Sequence, residues 1–355
     1  MQNTSAFKRF LRGRTALLLI LLIILTFVTM VLSSGVLDGE PLSALFTKGF
    51  ISSGNLIFVF YNLVVQCLMM CGIGLVLISG NIDLSVAGQA NLATMIFAWF
   101  LKTYPNMSWG IAFLIVMLLA VVFGLANTFL VNVLKFPSFI ATIGMASIYR
   151  GLCSVMTMGN NIQVGNQSFL KLGTANIGGY LPATFLFALA LVVVYQFILS
   201  RTTFGRSVYM SGGNPIAARL SGLNPDKIRM ILFINNSILA AIGGLLWTAQ
   251  IKLASPSAII SSAPDMSVIS ACILGGISFM GGAGNLGGAL VALLLLGVFD
   301  NMLIVIGVQS YWNVFAQGFL LAVALVIDYI NEERRRKAML RAELESAEAA
   351  KTVAA

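Results

Sequence analysis

The sequence contains no histidine, only 12 acidic residues and four cysteines in 355 positions, and charged residues of both signs make up 9% of it. A soluble domain carries about 25% charged residues, so a wholly water-solvated surface is excluded. Without histidine the commonest general base is missing. No CxxC pair or Cys/His cluster is present to build a metal site. Cys67 and Cys71 lie four apart in an apolar run, share one helix face, and read as small buried apolar residues. There is no GxxxxGK[ST] loop to cradle nucleotide phosphates. The 21 Lys and Arg give a formal charge of +9, yet they flank apolar runs instead of forming a basic face, which excludes nucleic acid as a partner.

What the sequence has in abundance is apolar length. Hydrophobic residues make up 59% and the mean hydropathy is +0.95. A membrane span needs roughly 20 apolar residues. Candidate spans fall at 15–33, 56–79, 86–103, 108–133, 138–157, 181–200, 228–251, 266–280, 287–307 and 310–330. The third, fifth and eighth are short or interrupted by glycine and read as broken or re-entrant helices, which are tolerated only inside protein or beside a cavity. The opening "MQNTSAFKRFLRGRTALLLILLIILTFVTMVL" has basic flanks and an apolar core too long for a cleaved signal peptide, and is expected to stay as the first span. The expected fold is thus an all-α polytopic membrane protein with about ten transmembrane helices. It divides into a tail at 1–14, a membrane domain at 15–330 carrying a polar loop at 201–227, and a second tail at 331–355.

Charge orients this plan. With the N-terminus inside, the cytoplasmic pieces collect most of the 21 basic residues: Lys8, Arg9, Arg12, Arg14, Lys135, Arg201, Arg206, Arg219, Lys227, Arg229 and the cluster from Arg334 to Lys351. Lys48, Lys102, Arg150, Lys171 and Lys252 remain elsewhere. The bias predicts an even number of spans with both termini cytoplasmic.

The stretch "SGGNPIAARLSGLNPDKIRM", residues 211–230, is the polar exception between two apolar runs. Asn214 suits an N-cap, Pro215 a first helical turn, and Gly222 a stop. Asn224, Pro225 and Asp226 repeat the start signal. The spacing predicts a short helix over 215–221, approached through a tight turn at Gly212 and Gly213. So short a helix is marginal in water by itself. It either packs on the protein's own loops or docks into a partner.

These residues resemble a family. "GRSVYMSGGNPIAARLSGLN" is similar to the coupling loop of bacterial ABC importer permeases of the ribose, galactose, xylose and arabinose type. "LVLISGNIDLSVAG" is similar to that family's glycine-isoleucine-aspartate-leucine-serine motif, with Asn81 where a glycine is common. "FPSFIATIGMASIYRG" and "LGGISFMGGAGNLGGALVALLLLGVFDNMLIVIGVQSYW" match two further regions, so the resemblance reaches from about residue 72 to 328. It implies a permease subunit of the bacterial cytoplasmic membrane that pairs with a second permease subunit, a homodimer or a heterodimer. It also implies an ABC ATPase subunit beneath and an extracytoplasmic binding protein that delivers a monosaccharide. A furanosyl signalling molecule, a nucleoside or a vitamin is the alternative substrate, and a secondary transporter the alternative class. The chain would bind no cofactor, ATP and Mg sitting on the partner. Gly212, Gly213, Asn214, Ala217, Ala218, Arg219, Leu220, Ser221 and Gly222 would make the ATPase contact, with Ala218 the position where a bulky charge should uncouple hydrolysis from uptake.

Other residues are weighed singly. "GAGNLG" at Gly282–Gly287 fits GxGxxG but lacks a preceding strand, and reads as a tight turn. Asp83 is expected to cap a helix starting near Leu84, or with Ser85 to hold an interrupted helix at an inner gate. Asp300 is the one acid placed deep within a span, where an acid is costly and points to function or to a helix–helix hydrogen bond. Arg150 either snorkels or lines the pathway. Asn62, Gln66, Asn91 and Asn127 are candidates for a pathway that passes hydroxyl-rich solutes, each also able to serve as a helix–helix hydrogen bond.

Overall fold

Apolar runs of about 20 residues fold into spanning helices because lipid offers no partner for backbone N–H and C=O groups. In the computed structural model, residues 14–261 and 264–309 are described, together with scattered positions between 312 and 337. Helix α1 (Arg14–Ser33) leads through three short 3-10 turns into α2 (Ser53–Ile78). From Leu63 to Ile78 every residue of α2 except Gln66 is buried. A helix apolar on all sides is the core of a bundle, and α2 is the core here. Residues 79–85 are not helical, and α3 (Val86–Thr103) follows.

Helix α4 (Trp109–Thr128) runs on into a π-helical turn at Phe129–Val133, and α5 (Ser138–Thr157) returns. At that far end, strand β1 (Ile162–Gln163), α6 (Gln167–Thr174), and the β2–β3 ribbon (Asn176–Ile177, Leu181–Pro182) cross over to α7 (Ala183–Arg201). Then come α8 (Thr203–Gly213), α9 (Pro215–Leu220), α10 (Pro225–Ile251), β4 (Leu253–Ala254), α11 (Ala258–Ser261), α12 (Pro264–Leu274) and α13 (Leu286–Val305). Strand β4 pairs antiparallel with β1, Ile162 opposite Ala254.

Seven of these helices are long and apolar enough to cross a membrane: α1 and α2 with their trailing or leading 3-10 turns, α4 with its π-helical turn, α5, α7, α10 and α13. Helix α3, the third span and expected to be broken, is an uninterrupted helix of 18 residues, diluted by Gln89, Asn91 and Lys102. The eighth predicted span is α12, with 11 residues, about 16 Å of helix and so too short to cross. The fifth, expected to be broken, is an uninterrupted helix of 20 residues. The tenth is described only at scattered positions, and the two tails fall almost wholly outside the described residues.

Helices α7, α10, α12 and α13 pack around α2, and α10 also packs on α3 and α4. The α4–α10 pair approaches to backbone contact at Gly124. A Cβ added there would stand 2.5 Å from Ile234 Cα and 2.8 Å from Ile234 N. Overpacking of this kind costs about 1–3 kcal/mol. Gly124→Val is therefore expected to lower thermal stability in detergent by several degrees. Gly243→Ala, whose added carbon would sit 3.5 Å from Val65 Cγ1, should leave the melting temperature unchanged. Equal melting of both variants would refute the close approach.

Candidate functional site

Local chemistry builds the polar stretch. The Asn214 side chain accepts hydrogen bonds from Ile216 N at 3.1 Å and Ala217 N at 3.0 Å, with Pro215 in the first turn. Ser221 ends the helix and Gly222 adopts a left-handed φ of 82°. Asn224 caps α10 by accepting from Lys227 N at 3.0 Å. The helix covers 215–220, one residue shorter than expected.

Two expectations are corrected. Gly212 and Gly213 are not a turn; they end α8. They are small because three backbones meet there. A Cβ on Gly212 would overlap the carbonyl oxygen of Ile78, and a Cβ on Gly282 would come 2.6 Å from Gly213 Cα. Gly282 N donates to Ile78 O at 2.7 Å, and the Tyr209 hydroxyl donates to Gly284 O at 2.7 Å. So the end of α2, the end of α8 and the loop after α12 form one glycine joint, and the GxGxxG match belongs to it. The second correction concerns Ala218. It is fully buried against its own protein, while Ile216 and Leu220 are 74% and 87% exposed. Ala217, Arg219 and Ser221 are exposed as well. A bulky residue at Ala218 would unseat α9 from α8 and α10 before it met any partner.

A second polar assembly lies inside the bundle. Asp83 is 0% exposed and sits in the break between α2 and α3. Helix α3 starts at Val86, with no side-chain cap bond from Ser85. The Asp83 carboxylate accepts instead from Ser85 N at 2.9 Å, from the Ser85 hydroxyl, and from Asn236 Nδ2 on α10 at 2.9 Å. Asn127 Nδ2 on α4 donates to Asp83 Oδ2 at 3.4 Å and to Ser85 Oγ at 2.8 Å. Gln89 Nε2 donates to the same Ser85 oxygen at 2.7 Å. Asn127 and Asn236 leave their carbonyl oxygens buried without partners, so both amides are turned N-first toward the acid. Among the described residues these partners are all neutral donors. Thr142 of α5 closes the ring by accepting from Leu84 N at 3.1 Å.

The remaining candidates scatter. Asn91 is buried; its amide donates to Pro256 O at 2.6 Å and its carbonyl accepts from Ile259 N at 3.3 Å, tying α3 to the segment around α11. Asn62 is half-buried and turns back on Phe58 O at 3.0 Å. Gln66 is the half-buried interruption on α2. Asp300 is half-buried on α13, beside Asn301, whose amide exchanges two 2.9 Å hydrogen bonds with Asn55. Asp300 is not the single deep acid expected: Asp83 is fully buried and Asp265, at the start of α12, is 9% exposed. Asp83 precedes a helix in sequence and looks like a cap, which hid its depth, and Asp265 stands at the edge of the eighth apolar run. Arg150 is exposed on α5, together with Gly144, Ser147, Gly151 and Ser154, spaced three and four residues apart on one side of a spanning helix.

Residues 55–325 match the family described as "Branched-chain amino acid transport system / permease component". Autoinducer 2 import system permease protein LsrC of Photorhabdus luminescens is 33% identical over 270 residues, 76% of this chain and 80% of the relative. The proteins of the same name from Yersinia pseudotuberculosis and Salmonella choleraesuis are each 31% identical over 79% of this chain and 79% of their own length. No solved structure matches the chain.

The buried acid makes a stability prediction. Asp83→Leu keeps the forked shape, with bulkier ends, but removes the acceptor of Ser85 N, the Ser85 hydroxyl and Asn236 Nδ2. Stranding buried donors costs about 1–3 kcal/mol each. The variant should melt well below the unsubstituted protein in detergent, and Asp83→Asn, which keeps an acceptor oxygen, should lie between the two. Equal melting of Leu and Asn variants would contradict the donor ring.

Proposed function

The chain belongs to the ABC importer permeases of the sugar-transport type, and from that premise we propose that it forms the pathway of an ATP-driven importer for a small furanosyl solute of the autoinducer 2 kind. It is a transport subunit and a multi-pass protein of the inner membrane. Its relatives named for autoinducer 2 import cover 76–79% of the chain, and they favour a furanosyl signalling molecule over the monosaccharide expected from sequence. Both solutes are hydroxyl-rich, so the same wall chemistry serves either.

The observation that carries the coupling reading is α9: a capped helix of six residues with Ile216 and Leu220 thrust outward. Two large apolar side chains on a polar loop mark a protein contact. In this reading they enter a cleft of the ABC ATPase, while Asn214, Ala217, Ser221 and Gly222 shape the helix and Gly212, Gly213 and Ala218 seat it. Arg219 is held by Asp226 at 2.8 Å, so it braces the helix against α10. ATP and Mg bind the partner ATPase. An extracytoplasmic binding protein delivers the solute, and both termini lie in the cytoplasm.

The pathway wall runs along α5. Arg150 is costly against lipid at mid-span, and Gly144, Ser147, Gly151 and Ser154 beside it present small and hydroxyl groups to the same side. That side faces the second permease subunit across the pathway.

Burying a Leu or Ile stabilises a contact by about 1.5–3 kcal/mol. Leu220→Glu is expected to lower ATP-dependent uptake by more than tenfold while the permease keeps its melting temperature. Ala218→Leu should lower the melting temperature instead. Uptake undiminished by Leu220→Glu would remove the docking role of α9. The reconstituted chain without an ATPase should move no autoinducer 2 into liposomes, and uptake by the lone chain would favour a secondary transporter.

A further inference from the structure

Helix α4 with its π-helical turn and helix α10 are joined by two polar rungs, one partly exposed and one buried. The first lies beside α9. Arg219 Nη2 meets Asp226 Oδ2 at 2.8 Å, and Arg229 Nη1 meets Asp226 Oδ1 at 3.4 Å. Arg229 Nη1 also donates to Asn132 Oδ1 at 2.8 Å, and Asn132 Nδ2 donates to the backbone oxygen of Asp226 at 2.7 Å. The carboxamide of Asn132 thus spends both ends on α10. The second rung lies deeper, where Asn127 of α4 and Asn236 of α10 both donate to Asp83. Residue numbers fall on α4 as they rise on α10, as two antiparallel helices require.

Between the rungs the helix changes pitch. Phe129–Val133 is π-helical, Leu134 N donates to Phe129 O at 3.1 Å, and Lys135 then takes a left-handed φ of 58°. A π turn holds one residue more than an α turn and is found mostly at functional sites. It can relax to α geometry by shifting everything on one side by one residue. Asn132 sits within the turn, and its two hydrogen bonds to α10 hold that extra residue in place.

We infer that Asn132 and Arg229 are positioning residues that carry the displacement of α9 through the α4–α10 pair to the Asp83 break between α2 and α3. The route is continuous. α9 pulls Asp226 at the start of α10 through Arg219, and Arg229 and Asn132 keep α4 in register with α10. The paired amides of Asn127 and Asn236 then move Asp83 and, through Ser85, the start of α3. The inference rests on the coupling reading of α9. A chain of contacts becomes a coupling path only when both ends bias it, and that is what the test measures.

The test uses the full complex with its ATPase and binding protein in proteoliposomes, with autoinducer 2 as probe. Nucleotide-dependent hydrogen exchange at Ile82–Ser85 gives a substrate-free readout. Asn132→Leu is expected to keep ATP hydrolysis within twofold, to lower uptake per ATP at least tenfold, and to abolish the nucleotide response of Ile82–Ser85. Asn132→Gln should recover part of both. Asn132→Leu combined with Asp83→Asn should be no worse than the more severe single variant, since both cut one path. If Asn132→Leu does not assemble, Arg229→Met keeps the unbranched stem but removes the one nitrogen that meets both Asn132 and Asp226, and should show the same split. Unchanged uptake per ATP, parallel loss of hydrolysis and uptake, or additive losses in the double variant would overturn the inference. Absence of nucleotide-driven uptake and of any exchange response in the unsubstituted complex would instead overturn the functional reading itself.

Discussion

A carboxylate enclosed in an apolar bundle without a cation beside it must be solvated by the protein, and Asp83 is solvated by neutral N–H and O–H groups brought from its own turn, from α4 and from α10. That requirement organises the molecule around it. The chain cannot continue as helix from α2 into α3, because the backbone of Ile82–Ser85 has to turn toward the acid and toward Ser138 and Thr142 of α5. Asn127 and Asn236 can reach the acid only if α4 and α10 run close, and Gly124 against Ile234 lets them. The apolar core of α2 packs around this arrangement and does not replace it.

The amount visible in the sequence follows the range of the interactions. Asn214, Pro215, Gly222, Asn224 and Pro225 were readable because caps act within three residues, and the structure places each at the cap, helix start or stop expected. The inward direction of Ala218 was not readable, since six residues give no period from which to infer a buried side. Asp83 looked like a cap because only its local donors, the N–H and hydroxyl of Ser85, lie within reach of a sequence reading, while its other donors stand at positions 127 and 236, far along the chain. Helix α3 was readable as apolar and as a segment that needs protein around it, but its partners were not readable. Its polar residues are held at both short and long range: Gln89 donates to Ser85 beside its own first turn and leaves its carbonyl oxygen buried without a partner, while Asn91 bonds a distant loop through both ends of its amide. The shortness of α12 was legible in part, through Gly275 and Gly276, which follow its last residue.

The two polar regions, α9 and the Asp83 ring, share helices α4 and α10. One region is exposed, apolar at its tip and held by local caps. The other is closed to solvent and held by long-range amides. Each is a poor site for chemistry: among the described residues no cluster of three metal-ligating or acidic side chains occurs. Both are well suited to holding backbone in place.

The glycine joint adds a mechanical property. Helices that meet through interdigitated side chains settle into discrete registers, because ridges must fall into grooves. At Gly80, Gly212, Gly213 and Gly282 there are no ridges. The surfaces touch backbone to backbone, held by the single hydrogen bond from Gly282 N to Ile78 O and by the Tyr209 hydroxyl. Such a contact sets the separation of α2, α8 and the loop by backbone alone, so a single methyl group added at Gly212 would have to part all three, and the two hydrogen bonds that fix their register would go with it.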